Sequence, residues 1–243
     1  MNATVAQLTA RSLLGRRRAL LLLALPGVVI LLAVISRSLA GQDPDHTVVL
    51  LGGFALGTLV PLLGLIAGTG AIGPEIDDGS IVYLLAKPLR RSSIILSKLV
   101  VAIGVITAFG VLPTLVAGLI LSGTEERLAV AYTVAALVAG ITYCALFLAL
   151  AVITRHAVVV GLLYALIWES LVGNLVPGAR ALSIQQWSLV FTEKVVGTSR
   201  SEELNIDPAV GLGASIPLLL VVGVGFTWYA GQRLRSLRLS SDE

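Results

Sequence analysis

Six stretches of this chain are long and apolar enough to cross a bilayer as helices, and their recurrence constrains the fold more than any other feature. They fall at about 19–39, 48–72, 94–121, 128–153, 157–176 and 209–230. About 20 apolar residues span the roughly 30 Å of hydrocarbon, so six runs take roughly half of the 243 positions. The expectation is one all-α integral membrane domain over residues 1–243, with little chain left for a soluble one. Charged residues make up 13% of the chain, where a soluble domain carries about 25%.

The net charge is +3. Basic residues flank the apolar runs and do not gather on one face, which argues against a nucleic-acid partner and reads as a topology signal. With the N-terminus in the cytosol, twelve Lys and Arg lie inside and five outside, namely Arg37, Arg127, Arg180, Lys194 and Arg200. That bias predicts six spans with both termini cytosolic. Lysine is scarce against arginine (3 to 14), and Ala, Val, Leu and Gly abound. Such usage goes with GC-rich bacterial genomes, so a bacterial plasma membrane is expected.

Residues 2–18 place Val5, Leu8, Leu13 and Leu14 among polar and basic residues. They predict an amphipathic helix along the cytosolic membrane surface, with arginines at lipid phosphates. The first apolar run has a core longer than the 7–15 residues of a signal peptide, and Arg37 precedes the apparent cleavage site, so it reads as an uncleaved anchor. In the second run Gly53, Gly57, Gly64 and Gly68 form two GxxxG pairs, where a helix of this chain or of a second copy can approach closely. Ser92 or Ser93 is an expected N-cap of the third span, and Pro113 an expected kink. Thr154-Arg155-His156 predicts a tight hairpin. Residues 177–207 are expected outside the cytoplasm and are too long for a structureless loop. In them Ile184, Trp187, Phe191 and Val195 recur at helical spacing, predicting an interfacial helix with Trp187 at the headgroups.

Between the second and third runs, 73–98 carries Glu75, Asp77, Asp78, Lys87, Arg90, Arg91 and Lys98. This stretch is expected in water or at the headgroups, with its cytosolic part at 73–93. Glu75 and Asp78 precede a Gly79-Ser80 turn, and residues 81–86 have room for two helical turns before Pro88 stops them. An apolar helix facing the cytosol, with charged ends, suits a groove on a partner: apolar side chains supply contact and charges fix register.

Catalytic patterns are missing. There is no GxxxxGK[ST] to cradle ATP phosphates, and His46 and His156, expected on opposite sides of the membrane, make no metal-binding pair. Glu125-Glu126-Arg127 has the residue types of an intramembrane protease motif without its spacing or histidines. A Ser–His protease fails too, because neither histidine lies mid-span. Cys144, the lone cysteine, reads as buried filler. Glu169 stands inside the fifth run, where a charge left in lipid costs about 2.5–3.5 kcal/mol. Gly161, Ala165 and Gly173 share its stripe, so Glu169 is expected in a close helix contact near the outer end. Its role stays open between a functional group, either polar near the mouth of a translocation path or a proton-sensitive latch, and a protonated or hydrogen-bonded structural carboxyl.

Glu75, Gly79, Ser80, Leu84, Leu85, Ala86, Pro88 and Arg91, followed by Lys98, make a pattern that resembles the ABC type-2 permease family. Trp168-Glu169 and LSIQQW (182–187) resemble that family as well. The resemblance implies a non-catalytic permease subunit of an ATP-driven exporter. It would pair with a second permease copy and couple, through Glu75, Asp78, Gly79, Ser80, Leu84, Leu85, Pro88 and Arg91 and through the N-terminal helix, to a separate ATP-binding subunit. That subunit would hold ATP and Mg, and this chain no cofactor or metal. A drug, lipid or other amphiphile is the implied cargo. Transport of a cofactor or maturation intermediate, and a non-transporting scaffold or sensor, are the alternatives.

Overall fold

Residues 3–81, 91–123, 127–172 and 177–236 are described by a computed structural model, and all of them are helix or connecting turn. Helix α1 (Ala3–Leu13) buries Val5, Thr9 and Leu13, each four residues from the last, while Leu8 stays exposed. That face packs on two helices of the bundle, α3 and α4 below. Helix α2 (Arg16–Ala40) starts one residue after Gly15, so the three arginines begin the span helix itself. It buries Leu22, Val29 and Ala33 along one stripe and exposes Leu20, Leu21, Leu23, Leu31 and Ile35. An apolar residue facing outward is what lipid permits and water penalises.

Helix α3 runs Pro44–Asp77, 34 residues against the 25 expected at 48–72. At 1.5 Å per residue it is about 50 Å long, so it outreaches roughly 30 Å of hydrocarbon. Its acidic end, Glu75 and Asp77, is therefore helix and not loop. Val49–Leu59 within it is π-helical. Helix α4 (Arg91–Ser122) has its own π-helical turn, Thr107–Val111, immediately ahead of Pro113. The wide turn is the form the expected proline disturbance takes. Ser92 and Ser93 sit inside the first turn of α4 rather than ahead of it.

Helix α5 (Leu128–Ile153) is the hub, packed by α3, by α8 and α10 below, and by α4. Because lipid tails give apolar helices no reason to associate, close approach of small residues must hold them. A Cβ on Gly64 would lie 2.7 Å from Tyr143 Cβ, and one on Gly68 2.9 Å from Phe147 Cβ. The two glycines thus serve a contact inside this chain. Gly53 has open space about it.

Thr154-Arg155-His156 turns the chain into α6, which is α-helical over Ala157–Leu163 and π-helical over Tyr164–Val172. A side chain on Gly161 would collide with Leu65 of α3. After the single turn α7 (Pro177–Arg180) come α8 (Ile184–Val196), α9 (Thr198–Glu203) and α10 (Leu212–Ser236). Five helices among the described residues are long and apolar enough to cross a membrane, Ala19–Ala40, Pro44–Asp77, Arg91–Ser122, Leu128–Ile153 and Leu212–Leu234, while Ala157–Glu169 is a shorter apolar helix.

Candidate coupling face and a capped intramembrane carboxyl

At one end of the bundle α1, α3 and α4 meet on a single ammonium. Lys98, expected in water or at the headgroups, is completely buried. Its Nζ donates to Glu75 Oε1 at 2.6 Å, to the Ala71 carbonyl at 2.6 Å and, more weakly, to Thr9 Oγ1 at 3.4 Å. All three ammonium hydrogens therefore have an acceptor. Glu75 retains 29% side-chain exposure, yet its Oε2 is buried without a hydrogen-bond partner among the described residues. Removing one member of such a pair costs about 3–5 kcal/mol.

Beyond this pin the helix stops. Gly79 has φ +69°, a left-handed conformation that favours glycine. Its N–H donates to Ile76 O at 3.2 Å, and the Asp78 N–H donates to Pro74 O at 2.9 Å, closing the last carbonyls of α3. Ser80 Oγ donates to Glu75 O at 3.4 Å. Asp77, Asp78, Gly79 and Ser80 are exposed. Arg91, at the start of α4, donates from Nη1 to the Leu234 carbonyl near the end of α10 at 2.7 Å. The predicted coupling residues thus divide. Asp78, Gly79 and Ser80 form an exposed helix end, Glu75 turns inward to Lys98, and Arg91 is tied to α10. Leu84, Leu85, Ala86 and Pro88 lie outside the described residues, as do Arg90, Glu125, Glu126 and Gly173.

The second cluster surrounds Glu169, 1% exposed in the π-helical part of α6. Oε1 accepts from the Tyr164 hydroxyl at 3.0 Å and from the Ile184 N–H at 3.1 Å. Oε2 accepts from the Ser183 hydroxyl. Ser183 is the N-cap of α8 and accepts from the Gln186 N–H at 3.3 Å. Glu169 is therefore a second cap on the same helix, its carboxyl oxygens accepting from the Ile184 N–H and the Ser183 hydroxyl at the helix start. The expected close contact around Gly161 and Ala165 is present, with Ala165 2% exposed.

Trp168 Nε1 donates to Leu182 O at 3.5 Å, so Trp168-Glu169 and LSIQQW are one structure. Gln185 completes it by donating from Nε2 to the carbonyl of Gly52, in the π-helical part of α3, at 3.0 Å. A Cβ on Gly57 would lie 3.0 Å from that same nitrogen; this glycine makes room for an amide and not for a helix. Trp187 is 5% exposed, with Nε1 donating to Ala181 O at 2.7 Å. It is buried in the bundle, on which α8 packs mainly through α5. Thr9 escaped sequence reasoning, as did the individual roles of Ser183 and Gln185 within LSIQQW. Ser183-x-x-Gln186 carried the signal, the spacing of a capping box.

Long apolar helices and outward-facing leucines define a polytopic membrane protein. A family model described as ABC-2 family transporter protein matches residues 33–191, well over half of the chain, and the chain belongs to that family. The match covers α3 to α6 and with them Glu75, Lys98, Glu169 and Ser183. Members are membrane subunits of ABC transporters, generally non-catalytic and working with an ATP-binding subunit. Comparison with curated proteins finds no match.

Proposed function

We propose that this chain is the permease of an ATP-driven exporter: six spans with both termini cytosolic, two permease copies, and one ATP-binding subunit docked on each. ATP and Mg are held by that partner. The observation that carries the reading is the acidic end of α3, a helix longer than the hydrocarbon is thick, which stays exposed at Asp77 to Ser80 and is braced one turn below by Lys98. A push on an end so braced moves α1, α3 and α4 together, as rigid-body coupling requires. The few polar residues of the spans suit an amphiphilic cargo, a drug or a lipid; measured transport of a small hydrophilic ion by the purified pair would sink that choice.

The experiment is a tagged pull-down of the full chain from native membranes in mild detergent, read by mass spectrometry. An ATP-binding cassette protein is expected with the parent chain. Asp78→Lys, a change at an exposed position, should lower its recovery and its ATPase stimulation by an order of magnitude with membrane levels unchanged. A permease recovered alone, even with crosslinking, would favour a scaffold and refute the exporter.

A further inference from the structure

A pocket of about 330 Å³ opens where α2, the second half of α3 and the turn from α5 to α6 meet. Along α3 it runs from Leu65 to Asp77, twelve residues or about 18 Å. Leu65 lies near the middle of a 34-residue span, so the pocket starts within the hydrocarbon and ends at the surface. Its apolar part includes Leu21, Val158 and Val159, each more than half exposed. Its polar part holds one carboxylate, Asp77, and one guanidinium, Arg155, with His156, Thr154 and Thr69. The Thr69 hydroxyl is engaged by the Leu65 carbonyl at 2.6 Å. Thr154 Oγ1 accepts from the His156 N–H at 3.2 Å and keeps its own hydrogen to donate. Asp77 and Arg155 are exposed, and neither side chain has a partner among the described residues.

The occupant that fits is apolar at one end and carries both charges at the other. A soluble protein is kept from the apolar end, because its backbone polar groups would go unsatisfied in hydrocarbon. A phosphate suits Arg155, whose planar fork of donors matches its oxygens, with the Thr154 hydroxyl and the His156 ring beside it. Asp77 then selects the rest of the headgroup. The primary ammonium of ethanolamine offers it three N–H donors, whereas the quaternary nitrogen of choline offers none. A glycerol headgroup would set net negative charge against the carboxylate.

From this we infer that the pocket binds one phosphatidylethanolamine, its phosphate at Arg155, its ammonium at Asp77 and an acyl chain along Leu21, Leu65 and Val159. Asp78, on which the docking test turns, does not line it. No ATP-binding subunit takes part, so the site stands or falls apart from the exporter reading.

The test is native mass spectrometry of the full chain released from detergent. Phosphatidylethanolamine, its N-methyl and N,N-dimethyl derivatives, phosphatidylcholine and phosphatidylglycerol are offered in equal amounts with the same acyl chains. One phosphatidylethanolamine should be retained several-fold over phosphatidylcholine, with the methylated lipids falling between as N–H donors are lost. Asp77→Ala should bring phosphatidylethanolamine down to the level of phosphatidylcholine, and Arg155→Gln should lower the retention of every phospholipid. Gly73 lines the pocket with nothing within 4 Å of where its Cβ would be. Gly73→Phe should therefore abolish the retained molecule while the unfolding temperature in lipid-free detergent stays unchanged. Equal retention of the two zwitterionic lipids by the parent chain, or a preference that survives Asp77→Ala, would overturn the inference. So would efficient disulfide formation between copies of Val159→Cys, which would assign the pocket to a second chain.

Discussion

Glu75 and Glu169 are both carboxylates drawn into the helical bundle, and the protein accommodates them in opposite ways. Glu75 meets a full charge, the buried ammonium of Lys98, and one of its oxygens is left over. Glu169 meets no cation among the groups that bond it. It is held by two hydroxyls and a backbone N–H at a helix start. The first arrangement ties together three helices, reaching from α4 to Thr9, 89 residues away. The second starts one helix and fixes it to its neighbour. A charge that must keep several mobile elements in register is paired with a charge; one that must end a helix is satisfied by dipoles.

The largest effect should come from Lys98→Met. It strands Glu75 without its counter-charge and frees α1, at a cost of about 3–5 kcal/mol, read as a lowered unfolding temperature in detergent and faster proteolysis before residue 16. Adding Glu75→Gln should recover part of the loss; a double variant no better than the single one would show the pair is uncoupled. Next in size is Glu169→Ala, which leaves Ser183, Tyr164 and the Ile184 N–H without their acceptor at about 1–3 kcal/mol. Glu169→Gln keeps one acceptor oxygen and should cost less than half as much. Equal losses in the two variants would transfer the weight from hydrogen bonding to the charge itself.

Asp43 gives the smallest effect and a third case, a carboxylate left in water. It caps α3 by accepting from the Asp45 N–H at 2.9 Å and shares a hydrogen bond of 2.8 Å with His46 Nδ1. The His46 bond first, and then the Asp45 N–H, hold its carboxyl below the ordinary 3.8. Because the folded value is the lower one, its stabilisation is present above 3.8 and is lost as pH falls through the depressed value. Acid in that range should speed amide exchange at Asp45 and leave the bundle intact. Unchanged exchange there would show that the cap is not formed in solution.

Much of the fold could be read directly from residue pattern. Leu128–Ile153 matches the expected run at both ends, because Thr154-Arg155-His156 interrupts the apolar sequence sharply. The close packing of Glu169 followed from the four-residue spacing of Gly161 and Ala165. Lys98 was misjudged for a physical reason: a lysine near a charged stretch reads as solvated unless its partners are known, and Glu75, Ala71 and Thr9 come from two other helices. The far end of α3 was missed because the apolar run ends at Ile72, whereas the helix continues through Pro74 to Asp77. The π-helical segments escaped for another reason. Apart from the turn ahead of Pro113, their residues suit an α-helix equally well, and the partners they meet, such as Gln185 on the Gly52 carbonyl, lie far away in sequence.

That last contact sets a timetable for making the protein. Gln185 lies 133 residues after Gly52, and a ribosome adding about 5–20 residues per second needs roughly 7–27 s to cover the distance. For that interval the second span sits in the membrane with its widened turn uncovered. The amide that closes over it arrives only after three further apolar helices have been threaded. Biogenesis of this chain therefore includes a late lock: the segment from Ser183 to Trp187 fastens an early-made helix to one made after three more apolar helices.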